Sequence, residues 1–177
     1  MKKVIILIIS IICALNCKAQ LTHTSEFIKV NLPDGTYKMN KQQVDALSGK
    51  NSTNKFPQQL RLPYTYNVNG ILLNVNNVNQ DSVNNNLPGT KKFLDNLAGL
   101  LKRHGNNTYT SIIKNVKDNQ ALVTNQIVNG VGRYRFYLQN HIKTLTFIGT
   151  IEYPETDSAK ARALLDDILN NAQFTTK

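Results

Sequence analysis

Residues 132–174, "GRYRFYLQNHIKTLTFIGTIEYPETDSAKARALLDDILNNAQF", decide the fold class. Successive side chains of a strand point to opposite faces. Alternation therefore puts Tyr134, Phe136 and Leu138 on one face, with Leu145, Phe147, Gly149, Ile151 and Tyr153. Arg133, Arg135 and Tyr137 fall on the other, with Thr144, Thr146, Ile148 and Thr150. Asn140-His141-Ile142 reads as the turn between the two runs. After Pro154 the period changes to that of a helix: Ala161, Leu164, Leu165, Ile168 and Ala172 form one apolar stripe, leaving Asp166, Asp167, Asn170 and Asn171 outside. Asp157 or Ser158 is placed to cap it. The semi-polar face of the hairpin suits a sheet partly covered by another layer.

The same patterns extend upstream. "TYTSIIKNV" and "QALVTNQIV" flank Lys117-Asp118-Asn119 as another hairpin. In "PGTKKFLDNLAGLLKRHG", Phe93, Leu97, Leu100 and Leu101 recur at helical spacing, with Leu94 and Ala98 widening the stripe. Thr90 is expected to cap that helix, and Gly105 to stop it behind Lys102, Arg103 and His104. Asn69-Gly70 lies between the alternating runs Tyr64, Tyr66, Val68 and Ile71, Leu73, Val75, a strong hairpin signal. The Asn-rich stretch over about 76–87 reads as a loop. Earlier, "SEFIKVNL" predicts a first strand with Phe27 and Ile28 inward. Pro33-Asp34-Gly35 is a turn, and a short helix follows, capped by Asn40, with Val44 and Leu47 inward and Gly49 as its stop. Strands in runs bracketed by helices predict an α+β fold, an antiparallel sheet of about six strands packed between helices.

The N-terminus reads as a leader over residues 1–19. Lys2 and Lys3 precede an apolar run from Val4 to Leu15, too short to span a bilayer but suited to a signal peptide. Cys17-Lys18-Ala19 supplies small residues at −3 and −1, so cleavage is expected between Ala19 and Gln20. The alternative makes Cys17 a lipid attachment point. Residues 20–177 then form a single exported α+β domain with no membrane-spanning segment and no cysteine, periplasmic or secreted, or membrane-anchored through Cys17. Removing Lys2, Lys3 and Lys18 from the 21 basic residues leaves 18 against 11 acidic, lowering the net charge from +10 to +7. The basic residues are scattered and make no tract of the kind that binds nucleic acid.

The quoted hairpin and helix resemble the closing half of PsbP-like and DcrB-like domains. There an aromatic-rich strand pair leads through a Tyr-Pro turn into a helix that ends in a short strand carrying a Phe. The resemblance covers about 43 of the 177 residues. It implies an α/β/α sandwich with an antiparallel sheet between helices, in proteins that are mostly non-enzymatic binders, chaperones or accessory subunits, and it supplies no fixed catalytic residues.

Signatures of catalysis are missing from the sequence: no G-x-S-x-G, no phosphate-binding glycine loop, no H-E-x-x-H. His23, His104 and His141 have local explanations at a frayed terminus, a helix end and a turn, and no metal or cofactor is implied. Glu152, Glu155 and Asp157 cluster before the last helix, as a turn and cap or as an acid–base set. Arg133, Arg135 and Tyr137, about 7 Å apart along one strand face, could grip an anionic group, or could be an amphipathic face whose arginine stems cover a helix. The expected function is a non-catalytic, exported cell-envelope binding or accessory module for a protein or an anionic ligand. Two alternatives stay open: a small hydrolase using Glu152, Glu155 and Asp157, and a lipid-anchored assembly subunit through Cys17.

Overall fold

The computed structural model describes residues 20–44, 64–76, 86–101 and 107–175. The expected leader, Cys17 included, lies outside them, as do Leu47, Gly49, residues 77–85 and residues 102–105. Strands β1 (Thr22–Thr24), β2 (Ile28–Asn31), β3 (Thr36–Lys38), β4 (Tyr64–Val68) and β5 (Ile71–Val75) precede helix α1 (Leu87–Leu101). Then come β6 (Asn107–Val116), β7 (Asn119–Val128), β8 (Val131–Gln139), β9 (Thr146–Pro154), helix α2 (Ser158–Asn171) and β10 (Gln173–Phe174). The large sheet has the order β3-β4-β5-β9-β8-β7-β6, antiparallel throughout, and β1-β2-β10 form a smaller one. The α+β class and the helix-covered antiparallel sheet are as the sequence predicts. Among the described residues the sheet has seven strands rather than about six: the first expected strand pairs elsewhere as β2, and β3 takes the edge.

The inner face of the large sheet holds the main core. Phe136, Leu138, Phe147, Ile151 and Tyr153 cluster there with Leu164, Leu165 and Ile168 of α2 and with Ile28 and Val30 of β2. These are the faces that the alternation and the helical stripe predict. Inward parity in β2 belongs to Ile28, Val30 and Leu32, with Phe27 only partly buried. Lys114 pins α2 through Asp166 at 2.7 Å, and Lys117 Nζ donates to the Asn170 carbonyl at 2.6 Å, where a helix C-terminus leaves carbonyls free. Asp157 occupies the N-cap position of α2, but its carboxylate goes to Lys160 at 2.7 Å instead of to the backbone.

Turns follow local chemistry. Asn69 and Gly70 sit at φ of 51° and 90°, the left-handed pair that a two-residue hairpin needs. Asn40 and Gln43 exchange side-chain-to-backbone hydrogen bonds at 2.9 Å, a reciprocal cap.

Helix α1 lies on the outer face and corrects two expectations. Asn86 caps it in place of Thr90, its Oδ1 accepting from Gly89 N at 3.0 Å. Pro88 in the first turn has no N–H to satisfy, so the helix begins at Leu87, four residues before a Thr90 cap would start it. Its apolar stripe is also divided. Leu87 and Leu94 pack with Leu122 and Tyr137, while Phe93, Leu97 and Leu100 face solvent. Asp95 sets this rotation: Oδ1 accepts from Tyr109 Oη at 3.1 Å and Ser111 Oγ at 2.6 Å, and Oδ2 pairs with Lys91 at 2.6 Å. The Lys91 and Ser111 hydrogen bonds hold the Asp95 carboxyl below its ordinary range. Burial, then Asp95, pushes the Tyr109 phenol up to about 12, so it stays a donor.

His23 is not at a frayed end. It lies in β1, 2% exposed, with Nδ1 2.8 Å from Tyr66 Oη, edge-on to Tyr64 and stacked on Phe147 at 6.2 Å. Its Nε2 is buried with no hydrogen-bond partner among the described residues. Burial, and then the charge of Lys38, holds the imidazole below its ordinary 6.5. The folded protein therefore keeps His23 neutral where the unfolded chain has begun to take a proton. Stability from this site is complete above pH about 6.5 and falls as pH drops below that value. Urea midpoints at pH 7.5 and 5.5 check this. The loss on acidification should be smaller in His23→Gln than in the parent, and equal losses would contradict the burial of the ring.

Candidate functional site

The outer face of the large sheet is where the sequence places its arginines, and the strand register shows what surrounds them. On β8, Arg133 lies opposite Glu152 of β9 and Gln126 of β7. Arg135 lies opposite Thr150 and Thr124, and Tyr137 opposite Ile148 and Leu122. One strand further out, Thr150 meets Asn74 of β5, which meets Thr65 of β4, and Thr124 meets Ser111 of β6. A band of hydroxyls, carboxamides and guanidinium thus crosses the sheet beside the apolar seat of α1.

The three predicted residues do three different things. Arg133 Nη2 is 2.6 Å from Glu152 Oε2, in a pair whose side chains are 18% and 9% exposed. Its charge is thereby answered within the fold. Tyr137 is 9% exposed and packs with Leu87, Leu94 and Leu122. It supports α1, with its ring covered, and offers no surface for stacking on a ligand. Arg135 is partly buried and has no ion pair or hydrogen bond among the described residues. Cross-strand neighbours stand about 5 Å apart, so Thr124 and Thr150 flank it. Nearby, Thr65 Oγ1 donates to Asn74 Oδ1 at 2.7 Å, which accounts for asparagine in a strand position that is 2% exposed.

A guanidinium is a planar fork that binds carboxylate or phosphate oxygens bidentately. Partial burial strengthens that attraction by displacing water. Arg135 is therefore the member of the predicted trio equipped to receive an anion, and its threonine neighbours can hydrogen-bond the rest of the group.

The acidic cluster is distributed differently. Glu152 faces Arg133 on this outer face, Asp157 holds Lys160, and Glu155 is exposed. Two of the three carboxylates are thus already in ion pairs. A second arrangement that periodicity could not show is the buried His23 cluster on the inner side. A polar strand such as Thr22–Thr24 carries no apolar alternation to mark it.

No known protein family matches this sequence, and no curated protein matches it. Among solved structures it is similar to the Saccharomyces cerevisiae Ran-binding protein Mog1p, with a TM-score of 0.42 and 12% identity, over 88% of this chain and 96% of that one.

Proposed function

We propose that this chain is an exported, non-catalytic binding or accessory module of the cell envelope, of the PsbP-like or DcrB-like kind, and that its ligand is anionic. The observation that carries the reading is Arg135: a partly buried arginine with a threonine opposite it on each neighbouring strand, and without a counter-ion among the described residues. Supplying that counter-ion is a gain the folded protein does not itself collect. The leader pattern of residues 1–19 supports export, and the excess of basic residues draws anions toward the surface.

Calorimetric titration of the full chain with inorganic phosphate, a hexose phosphate and a hexuronate tests the site. Arg135→Gln should weaken the best of these about tenfold or more, the scale of a charged hydrogen bond at 1.5–3 kcal/mol. Its unfolding free energy should stay within about 0.5 kcal/mol of the parent. Unchanged affinity in Arg135→Gln would remove the reading. Intact mass of the protein from native envelope fractions tests export separately: a chain starting at Gln20 or a lipid-modified Cys17 agrees, and a retained leader disagrees.

A further inference from the structure

Helix α1 carries a second apolar stripe that the fold leaves bare. At 100° per residue, Phe93, Leu97 and Leu100 lie within about 60° of one another on its outer side. They are 66%, 44% and 60% exposed, while Leu94 and Ala98 are buried against the sheet. Lys92 lies in solvent on the flank of the helix, about 80° round from Leu100. The acid of this helix, Asp95, is turned toward Lys91, Ser111 and Tyr109 and leaves the outer flank without a negative charge. An apolar row with a lysine on the same helix therefore projects from a chain of net charge +10, or +7 once residues 1–19 are removed.

The size and charge of the stripe choose among its occupants. Three such side chains, 44–66% bare, offer on the order of 300 Å² of apolar surface. A specific, stable protein interface uses about 800 Å² per partner. A second copy of this chain would also meet the positive flank with another positive flank. A bilayer needs no matching groove. It accepts a short row of Phe and Leu at the boundary between headgroups and acyl chains, and anionic headgroups answer the lysine.

We propose that the outer side of α1 is a membrane-docking face, recognising bilayers that contain anionic lipid and lying along the surface. No helix among the described residues is long and apolar enough to cross. This face is separate from the Arg135 site, and each stands or falls alone.

The chain contains no tryptophan, so Leu97→Trp in the full-length protein puts a single fluorophore on the stripe. Vesicles of phosphatidylethanolamine with phosphatidylglycerol should shift its emission to the blue, and brominated lipid should quench it. Adding Phe93→Ser and Leu100→Ser in the same background should lower the apparent partition about tenfold or more, with an unchanged circular dichroism spectrum. Added salt should weaken binding. A tryptophan that keeps its aqueous emission at saturating lipid overturns the proposal, even if the chain sediments with the vesicles through another segment. A blue shift that appears without lipid and grows with protein concentration assigns the stripe to a second copy instead. Equal partition onto phosphatidylcholine alone removes the anionic preference.

Discussion

Gly149→Val is expected to cost about 3 kcal/mol or more of folding stability, enough to leave a domain of this size close to its unfolding threshold. Gly149 pairs with Phe136 of β8 on one side and Val75 of β5 on the other. A side chain added at Gly149 would overlap the Phe136 ring at Cζ and Cε1 and press the Asn74 carbonyl. The ring has nowhere to go. Phe136 is fully buried and sits edge-on to Phe147 at 5.5 Å, which in turn stacks on His23. Overpacked cores relieve such overlap by leaving rotamer wells or moving backbone, and both are costly here because a paired strand lies on each side. Gly99→Ala makes the control. Its added carbon meets nothing within 4 Å on the exposed side of α1, so stability should rise by about 0.5–1 kcal/mol. Urea unfolding reads both. Shrinking Phe136 to Leu alongside Gly149→Val should recover part of the loss, and such coupling is expected only of residues in contact. A Gly149→Val protein as stable as the parent would mean that the β8–β9 register is wrong.

The second large effect separates the two arginines. Arg133→Gln should lose about 2–4 kcal/mol, because it strands Glu152 in a position that is 8% exposed. Glu152→Gln should cost a comparable amount, since the guanidinium then loses its charged partner at 2.6 Å. Replacing both with apolar residues of similar size, Arg133→Met with Glu152→Leu, should recover much of either loss. A buried pair and its apolar substitute are often close in energy once neither charge is left alone. Unfolding free energies of the two single variants and the double variant measure this directly. A double variant less stable than both single variants would show that the pair is not coupled. By contrast, Arg135→Gln strands no carboxylate among the described residues and should fold like the parent. The two arginines share a strand face and differ in consequence because the register gives only one of them an acid opposite.

That contrast also marks how far the sequence alone could be read. Alternation in 132–154 assigned Phe136 and Phe147 to the core and both arginines to the outer face, because a half-buried strand records its burial every second residue. The α2 stripe was legible for the matching reason at helical period. Register was not legible. It depends on where the β8–β9 turn closes, and the turn runs over residues 140–145, longer than Asn140-His141-Ile142. Asn140 closes it, with Oδ1 accepting from Thr144 N at 2.8 Å and Leu145 N at 2.9 Å. The pairing then begins at Gln139 and Thr146, which brings Arg133 opposite Glu152. The rotation of α1 was hidden by excess: Phe93, Leu94, Leu97, Ala98 and Leu100 cover more of the helix than one sheet contact can bury. Periodicity identifies such a helix, whereas polar contacts at Asp95 decide which part turns inward. His23 was misplaced because the burial of β1 comes from pairing with β2 and from aromatic neighbours distant in sequence.

Anion capture by Arg135 can be read from the side chain itself. The measurement is the Arg135 Nε–Hε resonance of the isotope-labelled protein, assigned by its loss in Arg135→Gln and followed through titration with a hexose phosphate. A saturable shift of that resonance is expected, with the Arg133 resonance moving far less because its guanidinium is already held by Glu152. An Arg135 resonance that stays still while the phosphate binds elsewhere, or a titration that moves Arg133 and leaves Arg135 unchanged, would contradict it.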